Sequence, residues 1–152
     1  MKAATISHLK KELVKLEQDE LLEVCLRMAK FKLESKELLT YLLMKADDEI
    51  GYANELCDEI DDHLNTPGRI HKKTLRKVVR WMDKSLRFSG NKETELHVRI
   101  HFCRRIKDKQ ISFGDCRVSA NLYATQLKKI GKAIDKVHPD LRFDYRLQTS
   151  GL

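Results

Sequence analysis

Residues 36–64 read KELLTYLLMKADDEIGYANELCDEIDDHL, and residues 71–88 read HKKTLRKVVRWMDKSLRF. In the first stretch Leu39, Leu43, Ala46, Ile50, Ala53, Cys57, Ile60 and Leu64 alternate steps of four and three. That spacing is a seam for a partner helix. It predicts one continuous helix over 36–64, with a break near Asp47 as the alternative. Gly51 lies off the seam and costs about 1 kcal/mol against Ala without forcing a break. In the second stretch Leu75, Val78, Val79, Met82 and Leu86 share a narrow helical arc. Lys73, Arg76, Lys77, Arg80, Lys84 and Arg87 cover the opposite arc. Asn65-Thr66-Pro67-Gly68-Arg69 between them is a turn by composition. A turn so short predicts an antiparallel hairpin, with Ile60 facing Leu75, Cys57 facing Val78 and Ala53 facing Met82.

Working outward, Ile6, Leu9, Leu13 and Leu16 predict a helix over 5–17, capped by Thr5 or Ser7. Asp19 is the expected cap of a helix to about Leu33, with Leu21, Leu22, Cys25, Leu26, Met28 and Ala29 facing inward. These two helices should form a hairpin, and Ser35 should cap the helix that follows. Residues 92–108 fit two periods. Leu96, Val98, Ile100 and Phe102 alternate as a strand would, whereas Leu96, Ile100, Cys103 and Ile106 suit a helix. Helix is the better reading, because no second strand is offered for pairing. A loop containing Gly114 precedes a helix over 119–137 with Tyr123, Leu127, Ile130, Ile134 and Val137 inward, stopped by Pro139. Residues 140–147 are either a short helix or extended. The expected fold is all-α: a single-domain helical bundle of five to seven helices over 1–148, built on the long hairpin, with 149–152 as a tail.

The charge is divided at Pro67-Gly68. Residues 1–66 carry 9 Lys/Arg and 15 Asp/Glu, and residues 67–152 carry 21 and 8, within an overall net charge of +7. Exposed faces sorted by sign are a statement about partners, not about a reaction. The longest apolar run, Tyr41-Leu42-Leu43-Met44, is far too short to span a bilayer. Met1 to Lys15 has no apolar segment before Lys10, Lys11 and Glu12, which argues against a secretory signal. Cys25, Cys57, Cys103 and Cys116 form no C-x-x-C pair and read as reduced thiols. Together these features predict a cytoplasmic protein.

The sharpest candidate site is the basic face Lys73, Arg76, Lys77, Arg80, Lys84 and Arg87, with Trp81 and Phe88 at its margin. Such a face can track a phosphate backbone, or it is a solvated face with some charges paired to neighbouring acids. Asp47, Asp48, Glu55, Asp58, Glu59 and Asp62 form an acidic face that lacks the EF-hand loop. Acidic and basic faces of different copies could also pair head to tail. His97 and His101 are four apart, as a metal bridge on a helix requires, but no Glu follows His97 as in zinc proteases. Cys116, between Asp115 and Arg117, is a candidate for a lowered thiol pKa. Neither G-x-S-x-G nor a phosphate-cradling glycine loop occurs. Accordingly no catalytic residue, cofactor or metal site is assigned.

Leu9-Lys-Lys-Glu-Leu13 with Glu20-Leu-Leu-Glu-Val-Cys-Leu26, Lys36-Glu-Leu-Leu-Thr-Tyr-Leu-Leu43 with Asp47-Asp48-Glu49, and Leu127-Lys-Lys-Ile-Gly-Lys-Ala-Ile134 with Asp140-Leu-Arg-Phe-Asp-Tyr145 resemble a family of small uncharacterised bacterial proteins of the Bacteroidetes type. The resemblance implies an all-helical bacterial cytoplasmic protein and brings no activity with it. The functional expectation is a non-catalytic interaction protein that presents charged helical faces to a macromolecular, protein partner. The alternative is a sequence-nonspecific nucleic-acid binder using the basic helix 71–88.

Overall fold

The computed structural model describes residues 2–65, 70–109 and 117–152. They form eight helices and no strand: α1 (Ile6–Leu13), α2 (Gln18–Phe31), α3 (Leu33–Met44), α4 (Glu49–Leu64), α5 (Lys72–Ser89), α6 (Lys92–Asp108), α7 (Arg117–Ile134) and α8 (Pro139–Thr149). The all-α expectation holds, with one helix more than expected. The Pro67-Gly68 turn, the Gly114 loop and Cys116 lie outside the described residues.

The extra helix arises because 36–64 is not continuous. The alternative, a break near Asp47, is what the chain adopts. Asp48 caps α4, its Oδ1 accepting from Gly51 N at 2.8 Å. A Cβ on residue 51 would sit 2.2 Å from Asp48 Oδ2, so Gly51 makes room for the cap. The break resets the helical phase. Ala53, Cys57, Ile60 and Leu64 are buried as the seam requires, but Leu43 and Ile50 are 70% and 78% exposed.

The chain divides into two compact units, Met1–Leu43 and Met44–Leu152. In the first, Thr5 caps α1. Glu17, not Asp19, begins α2 through a reciprocal capping box with Glu20. Ser35 lies within α3 instead of capping it, because α3 starts at Leu33. The backbones of α1, α2 and α3 make no substantial close approach to one another among the described residues. Leu22 and Met28, expected inward, are 56% and 62% exposed. Without a close neighbour inside this unit, the apolar faces of its helices are left largely uncovered.

The second unit has a core. α4 packs chiefly on α6, α6 on α7, and α4 and α5 on each other. The α4–α5 hairpin runs antiparallel: Tyr52 at the start of α4 donates its hydroxyl to the Ser85 carbonyl at 3.1 Å. Glu49 accepts from Ser89 Oγ at 2.8 Å, beside the α5 C-terminus. Leu75, Val78, Met82 and Leu86 are buried along α5 as expected. Gly90, at φ 68°, closes that helix, and Asn91 caps the next. Such a left-handed end favours glycine.

α6 is the centre of the unit. Leu96, Val98, Ile100, Phe102, Cys103 and Ile106 are all buried. A helix enclosed by neighbours on several sides loses its one-sided pattern, which is why residues 92–108 matched both periods. Pro139, expected as a stop, is the first residue of α8, where its missing N–H costs nothing. α8 is tied to α6 by Arg104 Nη2 donating to the Gln148 carbonyl at 3.1 Å, and Lys107 Nζ reaches the Gly151 carbonyl.

Candidate functional site

α5 turns Leu75, Val78, Met82 and Leu86 into the core, so its cationic residues must face the other way. Lys73, Arg76, Lys77, Arg80 and Arg87 are exposed, and Lys84 is half-buried. No ion pair joins Lys73, Arg76, Lys77 or Arg80 to a carboxylate among the described residues. Arg80 Nε donates to the Arg76 carbonyl at 3.4 Å. Lys84 and Arg87 already interact within the protein. Of the six, Lys73, Arg76, Lys77 and Arg80 carry no carboxylate partner among the described residues.

The acidic face is partly used by the fold. Asp48 is the α4 cap and Glu55 pairs with Lys45. Asp47, Asp58 and Asp62 are exposed. Burial pushes the Glu59 carboxyl up, with His63 opposing and Glu55 and Asp62 reinforcing it. Asp61 was outside the predicted set. It turns towards α6, bonding His101 Nε2 at 2.9 Å and Arg105 Nε at 2.7 Å.

His101 is thus committed to a carboxylate instead of a metal pair with His97. His97 is pushed below the usual histidine value by burial, then by the charges of His101 and Arg104. No group of three or more His, Cys, Asp or Glu is placed to hold a metal among the described residues. Burial raises the Cys57 and Cys103 thiols to about 12, with Asp61 and Asp58 adding at Cys57 and Arg99 opposing at Cys103. Both behave as small apolar core residues. Glu49, Asn54, Glu93, His97 and Tyr145, with the apolar Ile50 and Ala53, line a small mixed cleft of about 250 Å³. Burial, aided by Glu93, raises the Tyr145 phenol there.

A buried polar hub was missed by the sequence reading. Arg99, 4% exposed, lies mid-α6. Its Nε donates to Glu95 at 2.9 Å, and its Nη1 to Asp83 at 2.8 Å and to Gln126 at 2.6 Å. Lys92 pairs with Glu95 at 2.6 Å and Lys129 with Asp83 at 2.7 Å. Burial alone would raise the Glu95 carboxyl. The hydrogen bonds and charges of Lys92 and Arg99 outweigh it and hold Glu95 below its ordinary value. The hub joins α5, α6 and α7 through residues 16 to 46 apart in sequence. Only an Arg within an apolar run signalled it.

No protein family, curated protein or solved structure matches this chain. No described helix is long and apolar enough to cross a membrane.

Proposed function

We propose that this is a non-catalytic, cytoplasmic interaction protein whose second unit presents a charged helical face to an acidic macromolecular partner, a protein in the leading reading. The observation that carries it is the row Lys73, Arg76, Lys77 and Arg80. It is exposed along one helix and free of carboxylate partners among the described residues. The core side of α5 fixes that row on a rigid element, which favours recognition over a flexible tail. The likeness to small Bacteroidetes-type helical proteins belongs to the same proposal and adds no activity.

A second reading has its own support. Four adjacent cations on one helix are the footprint of a phosphate backbone, and Trp81 lies at the margin of this face. Titrating a DNA duplex against salt separates the two. If the four residues meet phosphates, log K against log salt should slope at about −3.6, roughly 0.9 per contact. No retention at low salt sinks the nucleic-acid reading. For the protein reading, a partner that co-purifies with the native chain should be lost in Arg76→Glu with Arg80→Glu. Its retention by that variant would place the interface elsewhere.

A further inference from the structure

A second cationic feature lies away from the α5 face. Lys92, Glu95, Arg99, Lys129, Lys132 and Lys136 line a cleft of about 200 Å³ between α6 and α7. Lys129 and Lys132 are one turn apart on α7, and Lys136 follows one turn further on, just past the helix end. We propose that this cleft binds a phosphate group, carried by inorganic phosphate or by a small phosphomonoester.

Charge is the first argument. Five cationic side chains meet only two carboxylates, Glu95 at the cleft and Asp83 beside it. The local excess is +3 before any ligand enters. Lys132 and Lys136 are exposed and have no carboxylate partner among the described residues. The two engaged lysines also keep capacity, since an ammonium has three donors and one salt bridge uses one of them.

Arg99 is the second, independent argument. Its bonds to Glu95, Asp83 and Gln126 use Nε and Nη1 only. Nη2 takes part in none of them. Yet no buried side-chain nitrogen or oxygen lacks a partner among the described residues. Nη2 of this 4% exposed side chain therefore keeps some solvent access, and Arg99 is among the residues that line the cleft. A guanidinium edge held in place by two carboxylates and an amide is preorganised for phosphate oxygens. A carboxylate ligand would offer two oxygens and a single charge. A phosphate group near neutral pH carries between −1 and −2 with three acceptor oxygens, which answers the excess better. Asp83 and Glu95 are already neutralised by Arg99 and the two lysines, so they do not repel the incoming anion.

The protein is titrated calorimetrically with inorganic phosphate and, separately, with AMP, against chloride of matched ionic strength. Both probes are expected to bind and to raise the thermal midpoint. Lys132→Glu with Lys136→Glu should weaken both by about tenfold or more, with the ligand-free midpoint unchanged. If that variant fails to fold, Lys132→Gln with Lys136→Gln should show the same loss in smaller measure. Equal affinity for the two probes assigns the cleft to the free ion, and tighter AMP binding assigns it to a monoester. Binding no stronger than in matched chloride would overturn the proposal. So would binding unchanged in the α7 variants, or abolished instead by Arg76→Glu with Arg80→Glu on α5.

Discussion

Residues 2–43 and residues 44–152 are built from the same kind of amphipathic helix and reach different ends. Among the described residues of the first unit only Tyr41 is a buried hydrophobic, while fourteen large apolar side chains are exposed, up to 88% at Phe31. The second unit buries Phe102, Leu96, Ile106, Met82, Ile60 and Leu64 almost completely. Apolar spacing says that a segment is helical and which side is apolar. Burial further requires a second surface to close on that side, and within the first unit none is supplied.

The sharpest way to break this contrast is truncation of one aromatic in each unit. Phe102→Ala should cost about 3–5 kcal/mol, as a large side chain lost from a closed core does. Phe31→Ala should stay within about 0.5 kcal/mol. Urea midpoints for both variants decide the matter, and equal losses would erase the distinction. Next in size is the hub of the second unit. Arg99→Leu should cost about 3 kcal/mol, at the low end for a broken buried pair. The loss is moderated because Asp83 keeps Lys129 and Glu95 keeps Lys92.

Acid should weaken the second unit in two windows. His97 has a folded value below its ordinary 6.5, so the unfolded chain takes up the proton first and stability declines as pH drops below that value. Glu95 has a folded value below its ordinary 4.5. Its stabilisation is complete above that pH and is lost as pH falls through the folded value. Following the urea midpoint against pH, His97→Gln should reduce the upper decline and Glu95→Gln the lower one. Glu59, raised by burial, works with the opposite sign and softens the lower window.

The smallest effects lie at the break between α3 and α4. Asp48→Ala should cost about 1 kcal/mol of capping energy. Gly51→Ala alone should be close to neutral, because the helix-propensity gain of about 1 kcal/mol is offset by displacement of the cap. In the Asp48→Ala background the same substitution should stabilise by about that gain. An additive cycle would show that Gly51 is not there to admit Asp48.

What the sequence made legible follows the same division. The helical class, the α4–α5 hairpin and the outward row Lys73, Arg76, Lys77 and Arg80 rest on spacing along one segment, and spacing is local information. The break at Asp48 had local signals, an Asp with Gly three residues later, but the unbroken seam across Leu43 and Ile50 outweighed them. Arg99, Gln126 and Asp83 could not be joined by any periodic rule, because tertiary packing alone brings them together. α6 was ambiguous because of its central place: neighbours on several sides bury residues that each period would have put outside.

Native-state hydrogen exchange on the full chain tests the contrast most directly. Amides of α4, α5, α6 and α7 should share the slowest class and open only with global unfolding, while those of α1, α2 and α3 exchange faster through local opening. Protection of α1–α3 equal to that of α6 would contradict the account.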